Sequence, residues 1–208
     1  AGIARAADYV RAFPDQCALL ISVELCSLTI QKDDLSPANL IASGLFGDGA
    51  AAAIVAGENV AKVSGPRVID TRSVFYPNTE DLMGWRISER GFGVVLSPRV
   101  PAVARERLPQ DVDLFLAQHQ LSRRDIAVWI CHPGGPKVLE AMQTGLELPP
   151  DALELTWKSL REVGNLSSAS VLFVLDDTLR ERPPAPGSFG MLLAMGPGFC
   201  SELVLLKW

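Results

Sequence analysis

The chain has 208 residues, of which 48% are hydrophobic and 21% charged, and its formal net charge is −5. This composition is typical of a globular protein with a true core, and the acidic balance argues against nucleic acid as the main partner. No apolar run approaches the roughly twenty residues of a membrane span, and the first residues given do not follow the charged, apolar, then small pattern of an export signal, so we predict a cytoplasmic protein. Four cysteines without a CxxC pair predict reduced thiols and no metal site.

The predicted elements alternate between helices and strands. Helical spacing of apolar residues predicts helices over residues 1–13, 38–45, 100–120, 137–146, 151–163 and from Ser167 or Ser168 onward. Runs rich in β-branched and aromatic residues predict strands over residues 18–23, 51–56, 63–73, 126–131, 189–195 and 201–207. The first strand and the second helix are expected to be buried. This alternation predicts a layered α/β fold.

Residues 76–93 are turn-rich and interrupt the pattern. Trp85 and Phe92 are the large apolar residues of this stretch, which we expect to line or cover a pocket. Pro109 lies inside the third helical region, where its missing N–H predicts a kink or a break between two helices. Three prolines within residues 180–188 predict a loop ahead of the last two strands, which a glycine turn joins.

The strand 126–131 runs into the sequence His132-Pro-Gly-Gly-Pro136. His132 is therefore predicted where a buried strand opens into a loop, so that its imidazole can face a cavity. Pro136 suits the first turn of the next helix, because its missing N–H and fixed φ do no harm there. The two glycines ahead of Pro136 expose bare backbone to whatever binds in the cavity.

Asn165 lies between two predicted helices, in the sequence Gly164-Asn-Leu-Ser-Ser168. Gly164 closes the first helix, and Ser167 or Ser168 is expected to cap the second. The Asn165 side chain is thus predicted to sit in a turn with its amide free to donate. A histidine and an asparagine aimed from separate turns can together hold an oxyanion, so we predict that His132 and Asn165 share one site.

Five spaced motifs follow one another along the chain: Glu24-Leu-Cys-Ser27, Phe46-Gly-Asp-Gly-Ala50, His132-Pro-Gly-Gly-Pro136, Gly164-Asn-Leu-Ser-Ser168 and Gly196-Pro-Gly-Phe199. In this order they closely resemble the type III polyketide synthases, the chalcone and stilbene synthase family, and among these the bacterial alkylresorcinol and alkylpyrone synthases. The resemblance implies the thiolase-like αβαβα fold, built from two duplicated halves. Residues 1–98 would form the end of the N-terminal half and a cavity-covering segment, and residues 99–208 the complete C-terminal half.

The resemblance also implies an acyltransferase with a Cys-His-Asn triad. His132 and Asn165 match two of its members. The nucleophilic cysteine is expected a few residues before Ala1, at the N-terminus of the first helix, where the helix dipole favours the thiolate. The chain is therefore expected to need its missing N-terminal segment and to form a homodimer. Its substrates would be an acyl-CoA starter and malonyl-CoA, joined by decarboxylative condensation, with no cofactor beyond these coenzyme A thioesters.

Substrate-binding residues follow from the same resemblance. Gly134, Gly135 and Lys137 would border the pantetheine entrance, and Val94 and Ile30 fall near positions where plant members carry bulky phenylalanines. Smaller aliphatic side chains there leave room for a long acyl chain, so we predict a fatty acyl primer and an alkylpyrone or alkylresorcinol product. The other predicted contacts are Ser167, Gly196 and Pro197, with Trp85 and Met195 as further pocket liners.

Two other functions fit these residues. A ketoacyl-ACP synthase III-like enzyme also uses a Cys-His-Asn triad, although the His-Pro-Gly-Gly-Pro and Gly-Pro-Gly elements favour the polyketide synthase. A noncatalytic fragment that lacks the nucleophile is the second. Cys26 and Cys131 are interpreted as structural thiols; Cys131 and His132 are neighbours on a strand, so their side chains point to opposite faces. Phe46-Gly-Asp-Gly lacks the Gly-Lys-Ser/Thr ending of a phosphate-binding loop and is interpreted as a packing turn.

Overall fold

The structure is a computed structural model that describes residues 1–60, 64–89 and 91–208. Its helices are α1 (Gly2–Ala12), α2 (Pro37–Leu45), α3 (Val100–Ala117), α4 (Pro136–Gly145), α5 (Glu154–Val163) and α6 (Ser170–Glu181). Its strands are β1 (Cys17–Glu24), β2 (Gly49–Ala56), β3 (Arg67–Phe75), β4 (Met83–Ser88), β5 (Gly91–Leu96), β6 (Ile126–Cys131), β7 (Phe189–Gly196) and β8 (Cys200–Lys207). Short 3-10 turns lie at Cys26–Thr29, Arg123–Asp125 and Ser167–Ala169. Within the described ranges, no helix is both long and apolar enough to cross a membrane.

The strands of the described residues form three sheets. β1 and β2 pair antiparallel, and β4 and β5 form a separate antiparallel hairpin. The largest sheet has the order β3-β8-β7-β6, in which β6 and β7 are parallel and the other neighbours are antiparallel. Because β6 and β7 run in the same direction, both end at one edge of this sheet. That edge carries the residues of the candidate site.

Both faces of the four-stranded sheet are buried. On one face, Leu205 of β8 belongs to a core that includes Phe115 of α3. On the other, Leu206 packs in a second core with Val174 of α6 and Ile3 of α1. Since α1 and α6 also contact β2, these two helices lie between the sheets. The layers therefore follow the order α3 and α4, the four-stranded sheet, α1 and α6, then β1 and β2.

Several predicted boundaries are confirmed. β6 covers Ile126–Cys131, Pro136 begins α4, and β7 and β8 each extend the predicted strands by one residue. The hairpin of β4 and β5 was not predicted, because three glycines in a short stretch hide the alternation of its side chains. Val63, the start of a predicted strand, lies outside the described residues, and β3 begins at Arg67.

The division of the chain into residues 1–98 and 99–208 stays a prediction. β3, which falls in the first of these ranges, pairs along its length with β8 and so belongs to the four-stranded sheet. β1 and β2 form their own sheet on the far side of α1 and α6. The described chain therefore changes from one sheet to the other between β2 and β3.

The burial predicted for β1 and α2 is wrong. Leu19, Ile21 and Val23 of β1 are 60%, 63% and 60% exposed, and Ile41 of α2 is 56% exposed. The described residues cover only the other face of β1, where Ser22 is 8% exposed. An apolar run predicts that a surface will be covered, but it does not identify the part of the molecule that covers it.

Pro109 lies inside α3, which continues as a single helix. Because proline has no N–H, the carbonyl of Arg105 loses its partner in the helix. A Cβ built on Gly145 of α4 would lie only 2.9 Å from this Arg105 oxygen. The Arg105 carbonyl, which Pro109 leaves without a partner in the helix, thus lies where the backbones of α3 and α4 pack closely.

We expect Gly145→Ala to lower the free energy of unfolding by about 1 to 3 kcal/mol, because the methyl group must push the two helix backbones apart. Urea unfolding measures this change. Gly44→Ala in α2 is the matched control, since a Cβ there meets nothing within 4 Å. Alanine is the better helix former, so the control should be about 0.5 to 1 kcal/mol more stable than the wild type. Equal stability of Gly145→Ala and the wild type would contradict the close packing.

Candidate active site

The edge where β6 and β7 end opens into a cavity of about 1260 Å³. His132 follows β6 and Gly196 ends β7, so both lie at this edge of the sheet. Asn165, from the turn between α5 and α6, lines the same cavity, and so does Gly2 at the start of α1. The structure therefore brings together both predicted donors and the head of the first helix.

His132 is fixed by its backbone. Its N–H donates to the Leu193 carbonyl at 2.8 Å, which extends the pairing of β6 with β7 by one residue. Its carbonyl accepts from the Gly134 N–H at 2.9 Å, so the chain turns sharply. The imidazole lies against Gly134, where a Cβ would be 3.4 Å from the ring Cδ2 and 3.7 Å from Nε2. The turn thus holds the ring on the cavity wall.

Asn165 is only 3% exposed and is bonded through its backbone and its side chain. Its N–H donates to the Leu45 carbonyl at 2.8 Å, and its carbonyl accepts from the Gly47 N–H at 3.0 Å. The side-chain Oδ1 accepts from the Ser167 N–H at 2.9 Å, while Nδ2 donates to the Gly134 carbonyl at 3.3 Å. The amide is therefore less free than predicted, because one of its two N–H groups is engaged and one remains to donate.

Gly134 joins the two donors. The His132 ring packs on its Cα side, and the Asn165 amide bonds to its carbonyl. The His132 ring and the Asn165 amide are therefore neighbours on one wall of the cavity. Two preorganised donors of this kind can hold the oxygen of an enolate or a tetrahedral intermediate. The structure brings His132 and Asn165 together, and their catalytic role stays a prediction.

Burial lowers the pKa of His132 to about 4, compared with its ordinary value of 6.5. The surrounding protein replaces water that would otherwise solvate the imidazolium. The ring is therefore neutral at pH 7, with one nitrogen that donates a hydrogen bond and one that accepts. This leaves a single N–H for an oxyanion.

The low pKa of His132 predicts that folding stability depends on pH. The unfolded chain binds a proton near pH 6.5 and the folded one near pH 4, so stability is full above pH 6.5 and falls as the pH drops toward 4. We expect a loss of roughly 2 kcal/mol, since the cavity gives water partial access to the ring. Urea unfolding at about pH 7.5, above this range, and at about pH 4.5, near its lower end, measures the loss in the wild type and in His132→Gln.

The glutamine variant should show a smaller loss, because its side chain does not titrate. His119→Gln is the control for the other histidine, which contacts Asp70 at 2.8 Å. If the wild type and His132→Gln lose equal stability at acid pH, burial of a neutral His132 does not explain the pH dependence.

The cavity wall includes most of the predicted substrate-binding residues, namely Gly134, Gly135, Lys137, Ser167, Gly196 and Pro197, together with Met195. Val94, Ile30 and Trp85 do not line it in the described part of the chain. Val94 lies in β5 opposite Trp85, and Ile30 follows a 3-10 turn and is 48% exposed. The roles of Val94 and Ile30 in starter choice stay predictions.

The caps predicted for α6 are wrong. Neither Ser167 nor Ser168 makes a capping hydrogen bond at the start of that helix. The hydroxyl of Ser170 instead accepts from the Leu166 N–H at 2.6 Å. A 3-10 turn precedes α6, whose N-cap is Ala169, and no side chain caps this helix.

Ser168 instead bonds to the end of β1. Its N–H donates to the Glu24 carboxylate at 3.2 Å, and its hydroxyl donates to the same oxygen. Since that hydroxyl proton is used, the Ser22 hydroxyl donates in the hydrogen bond that it shares with Ser168. Glu24 therefore holds the turn that carries Asn165. From the sequence, Glu24 was named only as part of a motif, and its hydrogen bonds to Ser168 were not predicted.

The Phe46-Gly-Asp-Gly motif supports the same turn. A Cβ on Gly47 or Gly49 would lie 3.1 Å or 2.7 Å from the side chain of Leu166, the residue after Asn165. The Asp48 carboxylate accepts from the hydroxyl and the N–H of Ser27 at 2.6 Å and 2.7 Å, and these bonds hold its pKa below the ordinary value. The motif is therefore a packing turn, as predicted.

The wall at the end of α2 was missed from the sequence. Ile41, Leu45 and Phe46 all line the cavity. The available signal was the spacing of four residues between Ile41 and Leu45, which places both on one face of a helix. Phe46 was assigned only to the packing turn, although its side chain is the largest on this part of the wall.

Three cysteines have thiols that burial makes less acidic. Burial raises the pKa of Cys131 to about 12, and it also raises the pKa of Cys26 and Cys200, with smaller effects from Glu24 and Glu202. A raised pKa disfavours the reactive thiolate. Cys200 lines the cavity, but its thiol donates to the Pro197 carbonyl, with Sγ 3.6 Å from that oxygen. These three are therefore poor nucleophiles.

Among the described residues, no three His, Cys, Asp or Glu side chains are grouped to hold a metal ion.

Comparison with known proteins identifies the protein family of this chain. Residues 68–208 match the family described as chalcone and stilbene synthases, C-terminal domain. A 1,3,6,8-tetrahydroxynaphthalene synthase from Streptomyces peucetius subsp. caesius is 54% identical over 210 residues, which cover 100% of this chain and 55% of that protein. A putative chalcone synthase from Bacillus subtilis (strain 168) is 42% identical over 212 residues, covering 100% of this chain and 58% of that protein.

A solved structure gives the same answer for the fold. The crystal structure of 1,3,6,8-tetrahydroxynaphthalene synthase from Streptomyces coelicolor A3(2), a bacterial type III polyketide synthase, matches with a TM-score of 0.94 and 36% identity. The match covers 100% of this chain and 58% of that one. The thiolase-like fold is thereby confirmed.

The chain belongs to the chalcone and stilbene synthase family, the type III polyketide synthases. The predicted family is thus confirmed. Membership of this family excludes the ketoacyl-ACP synthase alternative. The chain spans a little over half the length of the relatives that it matches, 55% and 58% in the two cases above.

Proposed function

We propose that the full-length enzyme condenses an acyl-CoA starter with malonyl-CoA to make a polyketide. The observation that carries this proposal is the meeting of the His132 ring and the Asn165 amide at Gly134, on a cavity that also reaches the first turn of α1. The family to which the chain belongs supports the reaction class.

The proposed reaction has three steps. A cysteine thiolate at the head of α1 attacks the acyl-CoA carbonyl, forming the acyl-enzyme thioester while the coenzyme A thiolate leaves. Malonyl-CoA then loses carbon dioxide, and the electron pair of the broken bond forms an enolate. The enolate carbon attacks the acyl thioester, so that a new carbon–carbon bond forms and the cysteine thiolate is released.

His132 and Asn165 would act in the second and third steps. Their N–H groups would hold first the enolate oxygen and then the oxyanion of the tetrahedral intermediate. Both donors are already bonded into rigid turns, so little reorganisation is needed as charge develops. A neutral His132 suffices, because the hydrogen bond needs only one ring N–H.

For the starter, we propose a long fatty acyl group that leads to an alkylpyrone or alkylresorcinol. The apolar side chains on the cavity wall, including Ile41, Leu45 and Phe46, support an aliphatic ligand. A second candidate is favoured by the relative that is 54% identical, whose name gives 1,3,6,8-tetrahydroxynaphthalene as its product. The alternate oxygens of that product suit assembly from malonyl units alone, and by sequence identity the comparisons favour this candidate.

The full-length enzyme, incubated with malonyl-CoA alone and with acyl-CoA starters of graded length, tests both candidates by mass spectrometry of the products. A product that retains the added acyl chain supports the fatty acyl starter. Tetrahydroxynaphthalene from malonyl-CoA alone supports the second candidate and rules out an obligatory fatty primer. If no polyketide forms under either condition, the proposed function is wrong. The homodimer predicted from the sequence is tested on the same sample by sedimentation equilibrium, in which a monomer mass would contradict it.

A further inference from the structure

A turn behind the cavity wall bonds to the glycine-rich segment Gly196–Phe199. Phe199 is fully buried and lines the cavity, whereas Tyr76 and Thr79 do not touch it. The Tyr76 N–H donates to the Phe199 carbonyl at 2.9 Å, and the Thr79 hydroxyl accepts from the Phe199 N–H at 3.1 Å. Both backbone groups of Phe199 are therefore bonded to the turn Tyr76–Thr79.

The same turn bonds to a second part of the wall. The Thr79 hydroxyl donates to the Tyr76 carbonyl at 2.5 Å, so it is a donor and an acceptor at once and its orientation is fixed. The Thr79 carbonyl accepts from the Leu82 N–H at 3.0 Å, and the Leu82 carbonyl accepts from the Ser97 N–H at 2.8 Å. Ser97 lines the cavity. One turn thus connects two wall segments that are distant in the chain.

Tyr76 anchors this turn to the core. It is 8% exposed, and its ring centroid lies 6.1 Å from that of Phe199. The phenol donates to the Asp111 carboxylate of α3 at 2.5 Å and shares a hydrogen bond with the Ser201 hydroxyl of β8 at 3.1 Å. A buried tyrosine bonded to a helix and a strand can fix the position of the turn that it begins.

We infer that Tyr76 and Thr79 are positioning residues, which set the cavity wall at Gly196–Phe199 and thereby the discrimination between acyl starters. Neither residue contacts the ligand site, so each acts through Phe199. A wall held by paired hydrogen bonds keeps one shape, whereas a loosened wall admits a wider range of acyl chains. The inference rests on the proposed function, because discrimination is measured with acyl-CoA substrates.

Thr79→Val in the full-length enzyme tests the inference, because valine keeps the shape of threonine and removes both hydroxyl bonds. We expect the ratio of kcat/KM between the best and the poorest acyl-CoA starter to fall about three- to tenfold. Hydrogen exchange at the Phe199 amide should become faster. Thr79→Ser retains the hydroxyl, so it should keep the wild-type kcat/KM ratio and the wild-type exchange rate at the Phe199 amide. Tyr76→Phe should lower the ratio, because it loses the bonds to Asp111 and Ser201.

The matched control is Thr178→Val: Thr178 is buried, whereas Thr79 is half-buried, and the Thr178 hydroxyl donates to the Val174 carbonyl at 2.7 Å, away from this cavity. It undergoes the same chemical change and should keep the wild-type ratio. A wild-type ratio in Thr79→Val, or an equal fall in both threonine variants, would overturn the inference.

Failure of the proposed function gives a different result. In that case the wild type itself makes no polyketide. The positioning role of Tyr76 and Thr79 is then tested by hydrogen exchange at the Phe199 amide and by the relative binding of short and long acyl-CoA esters. Unchanged exchange in Thr79→Val overturns the inference in that case too, and so does faster exchange with an unchanged binding ratio.

Discussion

Asn165→Asp is expected to lower kcat for polyketide formation by about 10² to 10³-fold, the usual effect of removing one oxyanion donor. The substitution keeps the size of the side chain but replaces its NH2 group with an oxygen. That oxygen would face the Gly134 carbonyl, which now accepts from Nδ2 at 3.3 Å, and it would repel an enolate. Steady-state assays of the full-length enzyme with malonyl-CoA and its preferred starter measure the change.

One control and one parallel variant separate this chemistry from a loss of folding. Asn59→Ala removes an exposed asparagine that bonds to Asp15 and does not line the cavity, and it should leave kcat unchanged. His132→Ala should lower kcat by a similar factor, because alanine removes the other donor. If Asn165→Asp retains about a third or more of the wild-type kcat, far more than the roughly 10² to 10³-fold loss expected for an oxyanion donor would leave, the carboxamide does not have this role.

The second large effect is expected for Gly164→Ala, which should lower the free energy of unfolding by about 2 to 4 kcal/mol. Gly164 ends α5 with φ of +75°, a conformation that alanine adopts only with strain. Its Cβ would also lie 2.7 Å from the Leu45 carbonyl, the group that accepts from the Asn165 N–H. The methyl group should therefore displace Asn165, so we also expect condensation to fall at least about tenfold.

Gly187→Ala is the matched control for backbone strain. Gly187 has φ of +87°, and a Cβ there meets nothing within 4 Å. Its substitution should cost only about 1 to 2 kcal/mol and should leave activity unchanged. Urea unfolding and the condensation assay, applied to both variants, separate the two effects. Equal losses of stability would show that the Leu45 carbonyl contributes nothing to the requirement for glycine at position 164.

Much of the local structure around the two donors could be predicted from the sequence. β6 ends at Cys131 because its apolar run ends there, and Pro136 begins α4 because proline is tolerated in a first turn. Gly164 ends α5 in a conformation that favours glycine. These features depend on the periodicity of apolar residues and on turn residues, which act over a few neighbouring positions. A single sequence is therefore enough to predict them.

The surroundings of the donors could not be predicted in this way. Ser168 was expected to cap a helix, but it bonds to Glu24, which lies 144 residues earlier in the chain. Val94 and Ile30 were placed by resemblance to other family members, yet they lie outside the cavity wall that α2 helps to form. Such contacts depend on how layers stack and how turns approach each other, and no local spacing encodes them.

The sequence by itself determined that a histidine follows a buried strand and that an asparagine lies between two helices, because strand and helix ends have local residue preferences. Only the tertiary structure decided that these side chains meet. The N–H and carbonyl of Asn165 bond to Leu45 and Gly47, and its amide bonds to Gly134. Backbone groups that would be buried without partners must find them across the fold, and this requirement places the Asn165 amide beside the His132 ring.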